Sequence, residues 1–139
     1  MNQDSIPARL SAQALSRPDK AAYYVRVDGE WQPTTWATYA EEVNQVARSL
    51  IALGFEAGQN TCILGFNRPE WAIFDVATMA VGGTPAGIYS TCSPPEVQYI
   101  TNHTEAPIIL VENHDQWNKI RQEMERLPHL RQVVLMKGA

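Results

Sequence analysis

From Trp36 onward the apolar positions Trp36, Tyr39, Val43, Val46, Leu50 and Leu53 recur every three or four residues, with Glu41, Glu42, Gln45, Arg48 and Ser49 between them. That period predicts one amphipathic helix, opened by Thr34 or Thr35 as a cap and closed by Gly54. A second helix starts at Pro69, where a missing N–H costs nothing, and carries Trp71, Phe74, Ala77, Thr78, Met79 and Val81 largely on one face until Gly82-Gly83 stops it. Ser93-Pro94-Pro95-Glu96 opens a third: the serine caps, the prolines fill the first two positions and Glu96 completes a capping box. A fourth runs from a cap at Asp115 to about Arg126, where Leu127-Pro128 ends it. Between these lie short apolar runs at 61–64, 84–88, 107–111 and 132–136, the length of strands.

Upstream, residues 6–16 read as a short helix ended by Arg17-Pro18, and residues 21–27 as a strand turning at Asp28-Gly29 into a second strand that Pro33 restricts to an edge. Four strands alternating with three helices predict an α/β fold with a mostly parallel sheet and flanking helices, the N-terminal helix and hairpin being added at its edge. In such a sheet ligands bind beyond the carboxyl ends of the strands. The loops there gather Asn67, Arg68, Tyr89, Ser90, Thr91, Cys92 and Glu112 along one rim, where they also serve as caps and loop polar groups.

Composition narrows the field. The 139 residues suffice for one compact domain, and a hydrophobic share of 45% excludes disorder. A net charge of −4 without a Lys/Arg cluster excludes a nucleic-acid footprint. Cys62 and Cys92 form no C-x-x-C pair and read as reduced thiols. No run is long enough to span a bilayer, and MNQDSIPARL lacks the basic and apolar regions of a signal peptide, so a cytoplasmic location is expected.

Chemistry is thinly marked. His103, His114 and His129 are scattered, no G-x-S-x-G exposes a serine, and no metal site is predicted; His114 beside Glu112 and Asp115 is the one base–carboxylate neighbourhood. A helix N-terminus binds anions through free N–H groups, but Pro69, Pro94 and Pro95 delete such donors, and Gly82-Gly83 lies at the wrong helix end. There is no self-sufficient phosphate cradle.

Taken in order, NRPEW before a helix, then GGTPAGIYSTCSPPEVQYI, an apolar strand, Glu-Asn and the later LPHLRQVV resemble the N-terminal part of AMP-forming acyl-CoA synthetases of the adenylate-forming superfamily, closest to the long-chain "bubblegum" branch. The resemblance spans about Ile6 to Leu135 and rests on the order of several segments. The family's Ser/Thr/Gly-rich ATP-phosphate loop, its adenine motif and its C-terminal lysine domain have no counterpart here, so residues 1–139 are expected to be an incomplete large domain, inactive alone and without cofactor. For the full-length parent the resemblance implies activation of a long-chain fatty acid by ATP and Mg, transfer to CoA, and room for peripheral membrane association. It also implies that Trp71, Phe74, Asp75 and Thr78 line one side of an acyl channel, and that surface normally covered by the remainder drives dimerisation of the isolated chain. A free-standing flavodoxin-like binding module is the competing expectation; the first loop lacks the Ser/Thr run of a flavin site, and no acidic pair follows a strand.

Overall fold

The computed structural model describes residues 4–138; residues 1–3 and 139 of the expected 1–139 domain lie outside the described residues. Helix α1 (Ile6–Ser16) leads to a hairpin of β1 (Ala21–Val27) and β2 (Glu30–Thr35). Helix α2 (Trp36–Ala52), β3 (Asn60–Leu64), α3 (Pro69–Ala80), β4 (Thr84–Ile88), α4 (Pro94–His103), β5 (Ile108–Val111), α5 (His114–Gln122) and β6 (Gln132–Leu135) follow. The last four strands form one parallel sheet in the order β4-β3-β5-β6. The hairpin is a separate antiparallel sheet. It is not an edge extension, as the sequence suggested: it lies over α2, where Tyr23 meets Tyr39 edge-on at 5.4 Å.

Alternation along the strands builds two cores. Ile63, Ile108 and Leu110 face Leu10, Val43, Leu50, Ile73, Phe74 and Val76, so α1, α2 and α3 cover one side. Cys62, Leu64, Ile109 and Val111 face Val97, Ile120 and Leu127, so α4 and α5 cover the other. The strand β5 is buried at every position, as expected of a strand sandwiched between two helical layers.

Helix α3 departs from its sequence reading. Ile73 and Val76 are buried as well as Phe74, Ala77 and Thr78, because the helix is pressed between the sheet and α1/α2 and has no fully solvated face. Inside this layer Thr78 Oγ1 donates to the Phe74 carbonyl at 2.9 Å, and Thr61 Oγ1 lies 3.0 Å from Thr78 Oγ1, which satisfies two hydroxyls that are both fully buried. The paired glycines have separate reasons. Gly82 takes a φ of +81°, the left-handed helix-ending conformation, whereas a Cβ on Gly83 would sit 2.5 Å from the Phe55 ring.

Two ends move from their predicted places. Helix α5 is capped by Asn113, whose side chain accepts from the Gln116 N–H at 3.1 Å, rather than by Asp115. It also stops at Gln122 and gives way to a single 3-10 turn, Met124–Arg126. At α4, Glu96 turns back so that Oε2 accepts from both the N–H and the hydroxyl of Ser93, each at 2.7 Å. These bonds, the hydroxyl first, hold the Glu96 carboxyl below its ordinary range.

Candidate functional site at the carboxyl rim of the sheet

Strand order reverses between β3 and β5, and the crevice at such a switch point is where an open α/β sheet normally takes its ligand. Here it is closed by the protein's own carboxylate. The Glu112 N–H donates to the Leu64 carbonyl at 3.0 Å, and Glu112 Oε2 accepts from the Phe66 N–H at 3.0 Å. The two chains approach so closely that a Cβ on Gly65 would lie 2.7 Å from Glu112 Cβ and 3.2 Å from the Met136 methyl.

Open space lies instead beside the sheet edge. A cleft of about 490 Å³ between the β3 and β4 ends is lined by Gly65, Phe66, Asn67, Trp71, Gly87, Ile88, Tyr89, Ser90 and Thr91. Asn67 and Trp71 also border a second cleft, of about 570 Å³, between β1 and the start of α3, together with Tyr23, Tyr39 and Arg68. The Trp71 indole therefore stands between the two. It packs over Gly87 so closely that a Cβ there would meet the ring at 3.0 Å.

The rim residues separate on inspection. Asn67, Tyr89, Ser90 and Thr91 line the edge cleft. Arg68 lies at the other cleft, where its guanidinium pairs with Glu70 at 2.9 Å and donates to the Lys137 carbonyl at 2.9 Å. Cys92 faces the α4/α5 side and packs against that core. Glu112 Oε2 is engaged by the Phe66 N–H, while His103 stacks on Tyr99 at 5.7 Å.

Of the four residues expected along an acyl channel, Trp71 borders open space, whereas Phe74 and Thr78 are buried in the core under α3. Asp75 is half-buried, and burial raises its carboxyl above the ordinary value. Its charge in turn is one of the causes, after burial and Tyr23, that push the Tyr39 phenol up.

The same geometry tests the site against ATP and Mg. Helices α3 and α4 both begin with proline, the Phe66 N–H is already taken, and the first-turn Gln116 N–H is taken by Asn113. Among the described residues no group of three His, Cys, Asp or Glu is placed to hold a metal ion. The rim as it stands does not fit a triphosphate.

Two residues that sequence reasoning missed are Gln116 and Lys119 of α5, which bond the β4–α4 loop from 26 and 29 residues away at Ser90. No local pattern marks such contacts.

The AMP-binding enzyme family matches residues 10–139. The chain is 36% identical over 117 residues to the long-chain-fatty-acid–CoA ligase ACSBG2 of Gallus gallus, covering 84% of this chain and 15% of that protein. It is 31% identical over 136 residues to the long-chain-fatty-acid–CoA ligase FadD15 of Mycobacterium bovis, covering 98% of this chain and 23% of that protein. Among solved structures, the N-terminal domain of FACL13 from Mycobacterium tuberculosis superposes with a TM-score of 0.86 at 19% identity, over 95% of this chain and 34% of that one. The chain thus spans about a seventh to a quarter of the length of the curated relatives it matches. A family match running from α1 to the end of the chain does not favour a free-standing flavodoxin-like module, although the strand order alone is compatible with one. On this sequence similarity, and with a fold that agrees, the chain belongs to the AMP-binding enzyme family.

Proposed function

We propose that this chain is the first part of the large domain of an AMP-forming long-chain fatty acyl-CoA ligase. In the whole protein a fatty acid carboxylate displaces pyrophosphate from ATP to give an acyl-adenylate, and the CoA thiol then displaces AMP to give the thioester. The observation that carries the reading is the 36% identity to a long-chain-fatty-acid–CoA ligase over 117 residues. Similarity over so small a share of each relative supports a structural contribution: the parallel sheet, the Gly65/Glu112 closure of the switch point, and the cleft at Trp71 as one wall of the acyl site. On this reading the groups that bind the triphosphate and Mg lie elsewhere in the whole protein, since α3 and α4 begin with proline and the Phe66 N–H is taken by Glu112. No described helix is long and apolar enough to cross a membrane.

The test has two arms. The full reading frame should form palmitoyl-CoA from palmitate, ATP and CoA, and the 139-residue chain alone should form none. Isothermal titration of the isolated chain with ATP-Mg should show no saturable binding. Saturable micromolar binding by a monomeric chain, or failure of the full-length protein to activate any long-chain fatty acid, overturns the reading.

A further inference from the structure

The loop of residues 89–93 is the outer wall of the edge cleft, yet the sheet does little to hold it. It leaves β4, an edge strand with β3 on one side only, and its one backbone bond of its own is the Cys92 N–H to the Tyr89 carbonyl at 3.0 Å. Tyr89 at its start is 83% exposed.

The far end of the loop, Ser93, is tied into α4 by Glu96; what holds the middle of the loop comes from across the sheet. Lys119 Nζ donates to the Ser90 carbonyl at 2.6 Å and to the Cys92 carbonyl at 2.8 Å. Gln116 Nε2 adds a third bond, to the Ser90 carbonyl at 3.3 Å. Helix α5 is a firm base for this grip. Ile120 beside Lys119 is fully buried, and Asn113 caps the helix. Because β3 separates β4 from β5 in the sheet, no ladder bond couples this loop to the β5–α5 corner.

Gln116 itself is 8% exposed, and its Oε1 is buried without a hydrogen-bond partner among the described residues. A buried polar atom without a partner carries a cost, and flipping the amide would sacrifice the bond to Ser90. With the Ser90 and Cys92 carbonyls drawn towards α5, Ser90 and Thr91 are left as lining of the cleft, opposite Phe66, Asn67 and Trp71.

We propose that Lys119, assisted by Gln116, is a positioning residue: it fixes the loop of residues 89–93 as the wall of the edge cleft and so sets how well that cleft accepts a long acyl chain. The acyl identity of the ligand rests on the function proposed above; the clamp does not. Lysine suits the task because an ammonium offers three donors and no acceptor, so it can take two carbonyls at once. Lys119→Met keeps the stem and removes every donor. Lys119→Arg keeps the charge and the donors and should restore the grip.

Amide hydrogen exchange on the 139-residue chain tests the clamp. Lys119→Met should raise exchange at Cys92, whose N–H bonds the Tyr89 carbonyl within the loop, about tenfold, the scale of one lost charge-assisted hydrogen bond, with β3 and β5 unchanged and Lys119→Arg near wild type. Unchanged exchange in Lys119→Met, or a rise shared by β3 and β5, overturns the proposal. In the full-length protein, Lys119→Met should raise KM for palmitate about five- to tenfold while kcat and the KM for ATP stay within about twofold, and Lys119→Arg should reverse the change. A fall in kcat with palmitate KM unmoved overturns the positioning role. If the wild-type full-length protein makes no acyl-CoA, the function reading fails and the exchange measurement alone decides the clamp.

Discussion

Ile109→Asp puts the central strand under the sharpest test. Ile109 is fully buried in β5, with Cys62 of β3 and Val133 of β6 as its ladder partners and α4 and α5 packed over its face. Removing the isoleucine from this core costs about 2–5 kcal/mol in lost burial and cavity, by analogy with truncation to alanine. The carboxylate has no cation among these neighbours, so to stay buried it must be protonated. At pH 7 that is about three pKa units above the ordinary aspartate value, or roughly 4 kcal/mol more. The total of about 6–9 kcal/mol is comparable to the whole stability of a typical domain, about 5–15 kcal/mol. The sign with pH follows. A carboxyl whose folded pKa is raised binds more protons when folded, so its penalty is greatest at neutral pH and shrinks as pH falls towards 4. Urea denaturation, followed by tryptophan fluorescence and circular dichroism at pH 7 and pH 4.5, reads both quantities against wild type at the same pH. Ile109→Val should cost only about 0.5–1.5 kcal/mol and serves as the packing control. An Ile109→Asp variant whose midpoint at pH 7 matches the valine variant, or whose loss is the same at both pH values, would refute the reasoning.

Other outcomes follow from the same geometry. Ser93→Ala removes the hydroxyl that donates to Glu96 and should lower the urea midpoint, whereas Thr91→Ala, exposed in the loop, should leave it nearly unchanged; equal shifts would mean α4 is not held at Ser93. Asp75→Asn should raise Tm at pH 7, because burial raises the Asp75 carboxyl and the charged form strains the fold. The gain should vanish below the ordinary value of 3.8, where wild type is neutral too, and a Tm difference independent of pH would remove burial as the cause. Gly83→Ala, driven into the Phe55 ring and the Thr78 methyl, should cost about 1–3 kcal/mol. Gly87→Ala meets only the half-buried Trp71 indole and should cost less while shifting tryptophan emission; the reverse order would show that Trp71 is the more rigid neighbour. The exposed side chains of Phe66, Tyr89 and Leu135 should drive self-association of the isolated chain, read as a concentration-dependent sedimentation coefficient; a strictly monomeric chain at high concentration contradicts this.

Elements whose signals are local were legible in the chain. The 3.6-residue period of α2, the Pro69 start of α3, the Ser93–Glu96 box and the four short apolar strands all act within a few residues, so the sequence alone placed them and implied a parallel sheet. The sequence reading put the cap of α5 at Asp115, whereas in the fold Asn113, two residues earlier, caps it, as the path of the chain out of β5 requires. The rim was legible as a set of loops and not as a site. Sequence order gathered Asn67, Tyr89 and Thr91 correctly beside one cleft, but it left Cys92 with them although its side chain packs towards α5. Periodicity put Phe74 and Thr78 on the sheet-facing side of α3, while the family resemblance implied a channel along it; periodicity records which residues share a face and not what lies against that face. In the fold α1 and α2 cover the far side of α3, and the two residues become core. Glycines gave half their meaning in the same way: Gly82 ends a helix by its own conformational freedom, but Gly65, Gly83 and Gly87 are required by Glu112, Phe55 and Trp71, which only tertiary packing brings near. The closure of the switch point by Glu112 and the grip of Lys119 on Ser90 and Cys92 belong wholly to this second kind. Hydrogen bonds across 46 and 29 residues depend on strand order and register, which are set by how two apolar faces of one sheet are covered, and no short-range pattern encodes that.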